Sequence, residues 1–226
     1  MANQLVTIVT TTHNRPRQIR SAIDSVINQT YPHWELIVTD DGEDRAEATV
    51  RSYKDERITY IHKGPSDYYT INRNRGIKRG GGDLFCFLDD DNWWEPNFIE
   101  EHVKVHQAKD VIITYSGHWL HKDGMEEPEA LPFVAYRGAT EEFNGIVDVG
   151  DLMIRGKHYF TEELDNPGYC SDLKLVDTLL KKYPEHKIVM IPKRLHHYYW
   201  HSGSMTSKKL LARKKGERYL EEAWKF

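Results

Sequence analysis

The sequence is short of the features that mark several protein classes. Two cysteines among 226 residues, Cys86 inside an apolar run and Cys170 far from it, supply neither a disulfide framework nor a zinc set, and they fit a reducing cytosol. No apolar run exceeds Leu84 to Leu88, far below the roughly 20 residues that span a bilayer, and Met1 to Thr12 has no cationic segment ahead of its apolar stretch. A cytoplasmic location is therefore expected. There is no basic surplus: 31 Lys and Arg stand against 35 Asp and Glu, a formal charge of −4. Nucleic acid is not an expected partner, because binding to a phosphate backbone needs a positive field. Repeats and low-complexity linkers are absent, as are HExxH and GxxxxGK[ST]; Lys78 to Asp83 is rich in glycine but precedes a strand, which is the wrong order for a phosphate cradle.

What is present is a globular chain with 39% hydrophobic and 12% aromatic residues, enough to bury a core that offsets the entropy of ordering. Strand and helix patterns alternate over the first 110 residues. Strands are expected at Leu5–Thr10, Glu35–Thr39, Arg57–His62 and Leu84–Leu88, with helices after Pro16 (Asn14 as its N-cap), around Ala46–Tyr53, over Thr70–Arg79 and from Pro96 to about Gln107. This order predicts parallel βαβ units with the wholly apolar fourth strand at the sheet centre. Beyond Val111 the pattern is mixed: strands at Val111–Tyr115 and Lys187–Ile191, a hairpin turn at His121–Gly124, an amphipathic helix over Asp172–Tyr183 and a closing helix over Lys208–Trp224. The fold class is α/β, one domain over 1–226, with halves at 1–110 and 111–204 and a terminal helix in 205–226.

The sharpest local feature is Asp89-Asp90-Asp91-Asn92 directly after the most apolar strand. In open α/β sheets ligands collect at the carboxyl ends of strands, and carboxylates there suit an anionic ligand held through a divalent cation. Asp40-Asp41-Gly42 ends another strand, so parallel neighbours bring both acidic turns to one edge. Taken alone, Asp-Asp-Gly is also an ordinary turn sequence. Arg73-Asn74-Arg75-Gly76 opens a helix whose cations can face those turns and bind a diphosphate.

Together Ile8 to Arg15, Glu35 to Gly42, Asn72 to Ile77 and Phe87 to Asn92 with Pro96 resemble the ordered motifs of family 2 GT-A glycosyltransferases. Val149–Arg155, Asp165–Leu180 and Tyr198–Ser204 are similar to the family's later segments. The resemblance implies a GT-A fold: a Rossmann-like, mostly parallel sheet flanked by helices, with a smaller mixed acceptor-side region. It implies a nucleotide sugar donor, a UDP-sugar first, a carbohydrate or lipid-linked acceptor, and Mn2+ or Mg2+ as cofactor. By position, Thr11 and Asp40 would meet the nucleobase or ribose with Asp41 beside them, Arg73 the diphosphate, Asp89 or Asp90 the ribose, and Asp91 the metal, with His201 on the metal or diphosphate. The family's inverting members place a carboxylate base in a Glu-Asp pair; here that place reads Ser171-Asp172, which makes Asp172 the base.

Two other classes share parts of this pattern. A sugar-phosphate nucleotidyltransferase would carry a glycine-rich loop after the first strand, and Thr10 to Arg15 contains no glycine. A carbohydrate-binding module would explain Trp93, Trp94 and Tyr198-Tyr199-Trp200, but not the acidic strand ends. The segment from Lys208 has more Lys and Arg than Glu. A packed helix with a solvated face is its favoured reading, and peripheral contact with an anionic membrane the other.

Overall fold

The computed structural model describes residues 3–64, 69–133, 148–160 and 171–204, and only the backbone at Ser171, Asp172 and Leu173. The expected closing helix and Asp165 lie outside the described residues.

Four parallel strands form one half of a single sheet: β1 (Val6–Thr12), β2 (Trp34–Asp40), β3 (Ile58–His62) and β4 (Leu84–Phe87). Between them run α1 (Ile19–Ile27), α2 (Glu47–Arg51) and α3 (Tyr69–Arg79). The second half adds β5 (Trp93–Trp94), α4 (Phe98–Val105), β6 (Val111–Lys122), β7 (Glu129–Ala130), β8 (Leu152–Arg155), α5 (Ser171–Lys182) and β9 (Lys187–Trp200). The sheet order is β3-β2-β1-β4-β8-β6-β9-β5, with β7 hydrogen-bonded to β6. β8 is antiparallel to both β4 and β6, and β9 is parallel to β6.

The period of two along β4 explains why this strand is central. Leu84 and Cys86, with Leu88 beyond the strand, enter one core against α1 and α4, while Phe85 and Phe87 enter the other against Ile77 of α3 and Leu175, Val176 and Leu179 of α5. An apolar side chain at every position is what a strand covered on both faces requires.

Three expectations need correction. Asn14 does not cap α1: it sits in the left-handed region at φ 54, its Oδ1 accepts from the Asp44 N–H at 2.8 Å, and α1 begins at Ile19 with no side-chain cap. Asparagine tolerates that conformation, so here it shapes a loop instead. Nor do the strands from Val111 and Lys187 stop at Tyr115 and Ile191; they pair onward to Lys122 and Trp200 through register shifts between Tyr115 and His118. Bulges of this kind break the simple alternation by which strands are read from sequence. Finally, β5 and β8 were not anticipated, being short strands whose ladders join distant segments.

Candidate active site

The register of β1 brings its last residues level with the ends of its neighbours: Thr12 pairs with Asp40 of β2, and Val9 with Phe87 of β4. Both acidic turns thus lie at one sheet edge. The Thr12 hydroxyl donates to Asp90 Oδ2 at 2.7 Å, and His13 Nδ1 donates to Asp41 Oδ1 at 2.9 Å.

Asp89, Asp90 and Asp91 each meet a cation or a donor. Arg73 Nη2 donates to Asp89 Oδ1 at 2.9 Å. Arg15 Nη1 lies 3.0 Å from Asp90 Oδ1 and 2.8 Å from Asp91 Oδ2, and His201 Nε2 donates to that same Asp91 oxygen at 3.0 Å. Burial raises the Asp90 carboxyl to about 7, with Arg15 opposing the rise and Asp91 adding to it. Burial disfavours the Arg15 cation too, but the two carboxylates outweigh it and raise its pKa. Asn92 completes the turn, its Oδ1 accepting from the Tyr199 N–H at 2.9 Å, which draws the end of β9 and therefore His201 toward the acidic residues.

Four residues of the Asn72 to Gly76 motif have separate tasks. Asn72 Nδ2 donates to the Thr39 carbonyl at 3.1 Å. Asn74 clamps Phe160 both ways, Nδ2 to its carbonyl at 2.6 Å and its N–H to Oδ1 at 2.8 Å. A side chain at Gly76 would run into Val9 of β1, so the glycine lets α3 settle on the sheet. Arg73 is thereby held beneath Phe160, its guanidinium carbon 5.1 Å from the ring centroid, a geometry that favours the cation over a neutral group.

Of the residues expected at a nucleoside, Thr11 is half-buried and Asp41 buried. Asp40 is turned inward: Oδ1 accepts from the Gly42 N–H, and Oδ2 from the Ala46 N–H and the Tyr60 hydroxyl, each at 2.8 Å. Three of about four lone-pair positions are filled. The backbone of Asp172 is in the first turn of α5. A cleft of about 650 Å3 opens beside Asp91 and His201, lined also by Trp93, Tyr199 and Ser202. Trp94 faces the core instead, stacked on Phe98 at 4.0 Å.

The sequence reading assigned no role to Arg15, Thr12 or Asn92. Arg15 and Asn92 lie inside the motifs that carried it, but nothing in a loop arginine's own sequence context distinguishes a site cation from a solvated one.

The cluster with metal-ligand spacing among the described residues involves other side chains: His118, Asp151 and His196, all buried, with ligand atoms within 4.8 Å of one another. Asp151 has three of its about four lone-pair positions filled there. Its Oδ2 accepts from His118 Nδ1 at 2.9 Å and from the Asp148 N–H at 2.7 Å, and its Oδ1 from His196 Nδ1 at 3.0 Å. Both imidazoles donate at Nδ1 in this arrangement, which leaves the lone pair of each neutral ring on Nε2, and His196 Nε2 is buried without a hydrogen-bond partner. Asp151 is held well below the usual carboxylate range by these partners against the cost of burial, and His118 is raised by Asp151.

The profile described as Glycosyl transferase family 2 matches residues 7–147. The chain belongs to that family. Among curated relatives, a Bacillus subtilis protein named as a teichuronic acid biosynthesis glycosyltransferase, TuaG, is 27% identical over 188 residues, covering 79% of this chain and 73% of the relative. The Escherichia coli protein WfgD, named a UDP-Glc:alpha-D-GlcNAc-diphosphoundecaprenol beta-1,3-glucosyltransferase, is 29% identical over 119 residues. That match covers 52% of this chain and 47% of WfgD, so the similarity spans about half of that relative. Among solved structures, S. aureus TarS 1–349 in complex with UDP-GlcNAc superposes with a TM-score of 0.69 at 17% identity, covering 89% of this chain and 60% of that one. The Pyrobaculum calidifontis mannosyltransferase PcManGT, in complex with GDP-Man and Mn2+, gives 0.62 at 14%, covering 92% and 60%. The fold shared with these structural neighbours is the GT-A fold. Among the described residues no helix is long and apolar enough to cross a membrane.

Proposed function

We propose that this family member transfers a sugar from a nucleotide-diphosphate sugar to an acceptor hydroxyl with inversion, assisted by Mn2+ or Mg2+. The observation that carries the reading is the convergence of Asp91 and His201, 3.0 Å apart, beside the Arg73–Asp89 pair at the carboxyl edge of the parallel strands. A hard carboxylate oxygen and an imidazole nitrogen, both partly open to the cleft at 13% and 19% exposure, suit a small divalent cation that fills its remaining positions with phosphate and water oxygens. Such a cation would neutralise charge on the departing diphosphate.

In this reading Thr11 and Asp41 receive the nucleoside, and Asp40, which is fully buried, braces that pocket from behind. Asp89 and Asp90 flank the ribose, and Arg73 stabilises the diphosphate as it leaves. Asp172 takes the proton of the acceptor hydroxyl while its oxygen bonds to the anomeric carbon. The carbon–oxygen bond on the opposite face breaks, and its electron pair departs with the nucleoside diphosphate. Residues 1–110 then form the donor half, 111–204 the acceptor half, and 205–226 a terminal helix.

The UDP-GlcNAc complex of TarS and the activity for which WfgD is named favour a UDP-sugar donor and a lipid-linked or carbohydrate acceptor, encountered at the cytoplasmic side of a membrane. A thermal-shift screen of UDP, GDP, dTDP and CMP sugars with and without manganese tests the donor, because a bound ligand raises stability by mass action. A cation-dependent rise with one nucleotide class supports the reading, and no rise with any of them overturns it. The anomeric configuration of the product, read by NMR, decides inversion.

A further inference from the structure

Arg15 stands where the acidic turn would receive its cation. Its Nη1 is 2.8 Å from Asp91 Oδ2, the oxygen that also faces His201 Nε2 at 3.0 Å, and 3.0 Å from Asp90 Oδ1. Its Nη2 donates to the Gly203 carbonyl at 3.1 Å, and Gly203 N–H in turn donates to His201 Nδ1 at 3.2 Å. One guanidinium therefore ties the acidic turn to the turn that carries His201.

A magnesium-sized cation approaches a carboxylate oxygen to about 2.0–2.1 Å. A guanidinium nitrogen of like charge on the same oxygen repels it, so each weakens the other's hold on Asp91. The charge count runs the same way: Arg73 is paired with Asp89, and Arg15 compensates the two remaining carboxylates. A divalent ion added to that arrangement makes the turn positive. With Arg15 withdrawn, the ion takes over its compensation, and the freed guanidinium has the oxygens of an incoming diphosphate as partners.

We infer that Arg15 is an internal stand-in cation: it and the divalent ion compete for Asp91, and a nucleoside diphosphate resolves the competition by giving Arg15 new partners, so that ion and nucleotide bind cooperatively. Arg15 is in this sense a positioning residue, which keeps Asp91 and the turn at residues 201–203 assembled before ligands arrive. The inference rests on the assignment of Asp91 and His201 to the cation.

The test is manganese binding by the full chain, followed through the EPR signal of free aqueous Mn2+, with and without UDP, for the parent, Arg15→Gln and Arg15→Lys. Without UDP, Arg15→Gln binds manganese about tenfold more tightly than the parent, within the roughly 5- to 150-fold range usual for coupled sites. UDP then improves its affinity far less than it improves that of the parent, and Arg15→Lys falls between. Thermal melting guards against misfolding: Arg15→Gln should melt lower without the ion and recover on adding it. Equal affinities in parent and variants without UDP would overturn the inference while leaving the cation assignment intact. If adding Asp91→Asn leaves manganese bound to Arg15→Gln, the ion lies elsewhere and both fall; the same holds if no protein in the series binds manganese.

Discussion

His201 and Asp91 meet at 3.0 Å although 110 residues separate them in the chain, so a carboxylate from the edge of β4 and an imidazole beyond β9 form one donor set. Replacing Asp91 by Asn removes the anionic oxygen from that set but keeps its shape. We expect Asp91→Asn to weaken cation-dependent binding of a nucleoside diphosphate by about tenfold or more, the scale of one lost charge-assisted contact, and Asp41→Asn to weaken it less, since Asp41 pairs with His13 outside that set. Calorimetric titration with manganese and with chelator distinguishes the two variants. Unchanged binding by Asp91→Asn under both conditions would remove the cation assignment.

Asp172→Asn is expected to leave nucleotide sugar binding nearly intact and to abolish transfer. The amide keeps size and reach but cannot take the acceptor's proton, a loss of about 10²- to 10⁴-fold in rate. A carboxylate acting only on the helix dipole would instead cost about 0.3–1 kcal/mol of stability and leave turnover normal. Nucleotide release in the presence of acceptor gives the rate, and turnover within about threefold of the parent, less than about 1 kcal/mol of barrier, would exclude the base role.

The buried histidines behind the site predict an acid sensitivity with a definite sign. Burial holds His102 down to about 3 and His106 down to about 4, and the hydrogen bonds suit neutral rings: His106 Nε2 faces the Met153 carbonyl at 3.2 Å, and Thr114 Oγ1 links the two imidazoles. Below about pH 6.5 the unfolded chain takes up protons that the folded rings refuse. Their contribution is thus complete above that pH and lost as the pH falls toward 4. In denaturant unfolding, the stability gap between the parent and His106→Gln should narrow by about 1–2 kcal/mol between pH 7 and pH 5. A constant gap would show that His106 titrates normally.

Gly150 tests the buried histidine–aspartate network. A methyl there would lie 2.5 Å from Cε1 and 2.7 Å from Nε2 of His196, a ring with no exposed surface into which to retreat. Gly150→Ala should destabilise the fold by about 1–3 kcal/mol, the usual cost of overpacking, measurable as a lower denaturation midpoint at unchanged slope. An unchanged midpoint would mean that β9 shifts freely at this point.

The first half is legible because its determinants are local. β2 and β4 announce themselves as apolar runs that lead into aspartates, and Asn74 and Gly76 lie in one short motif. The second half depends on long-range pairing. Ser116 to Lys122 and Pro192 to Trp200 carry histidines, lysines and aromatics with no clean alternation, yet they pair in parallel from Gly117–Arg194 to Lys122–Trp200 across a register shift, because tertiary partners override local pattern. Arg15 escaped notice for a related reason: its partners at 90, 91 and 203 are defined only once the sheet is closed. Asp40 shows the opposite limit, since sequence marked it correctly as the residue ending a strand but could not tell that its oxygens turn inward to Gly42, Ala46 and Tyr60.

The Arg15–Gly203 bond, which spans 188 residues, bears on how the protein is made. A ribosome delivers Arg15 early and Gly203 much later, at about 5–20 residues per second, so for roughly ten seconds or more the acidic turn exists without the residues that complete it. Contacts of such separation also form slowly, because loop closure precedes any gain from them. The nascent first half can therefore build its parallel strands while its acidic corner stays unfinished, and the proposed cation site is complete only once the residues around Gly203 have emerged.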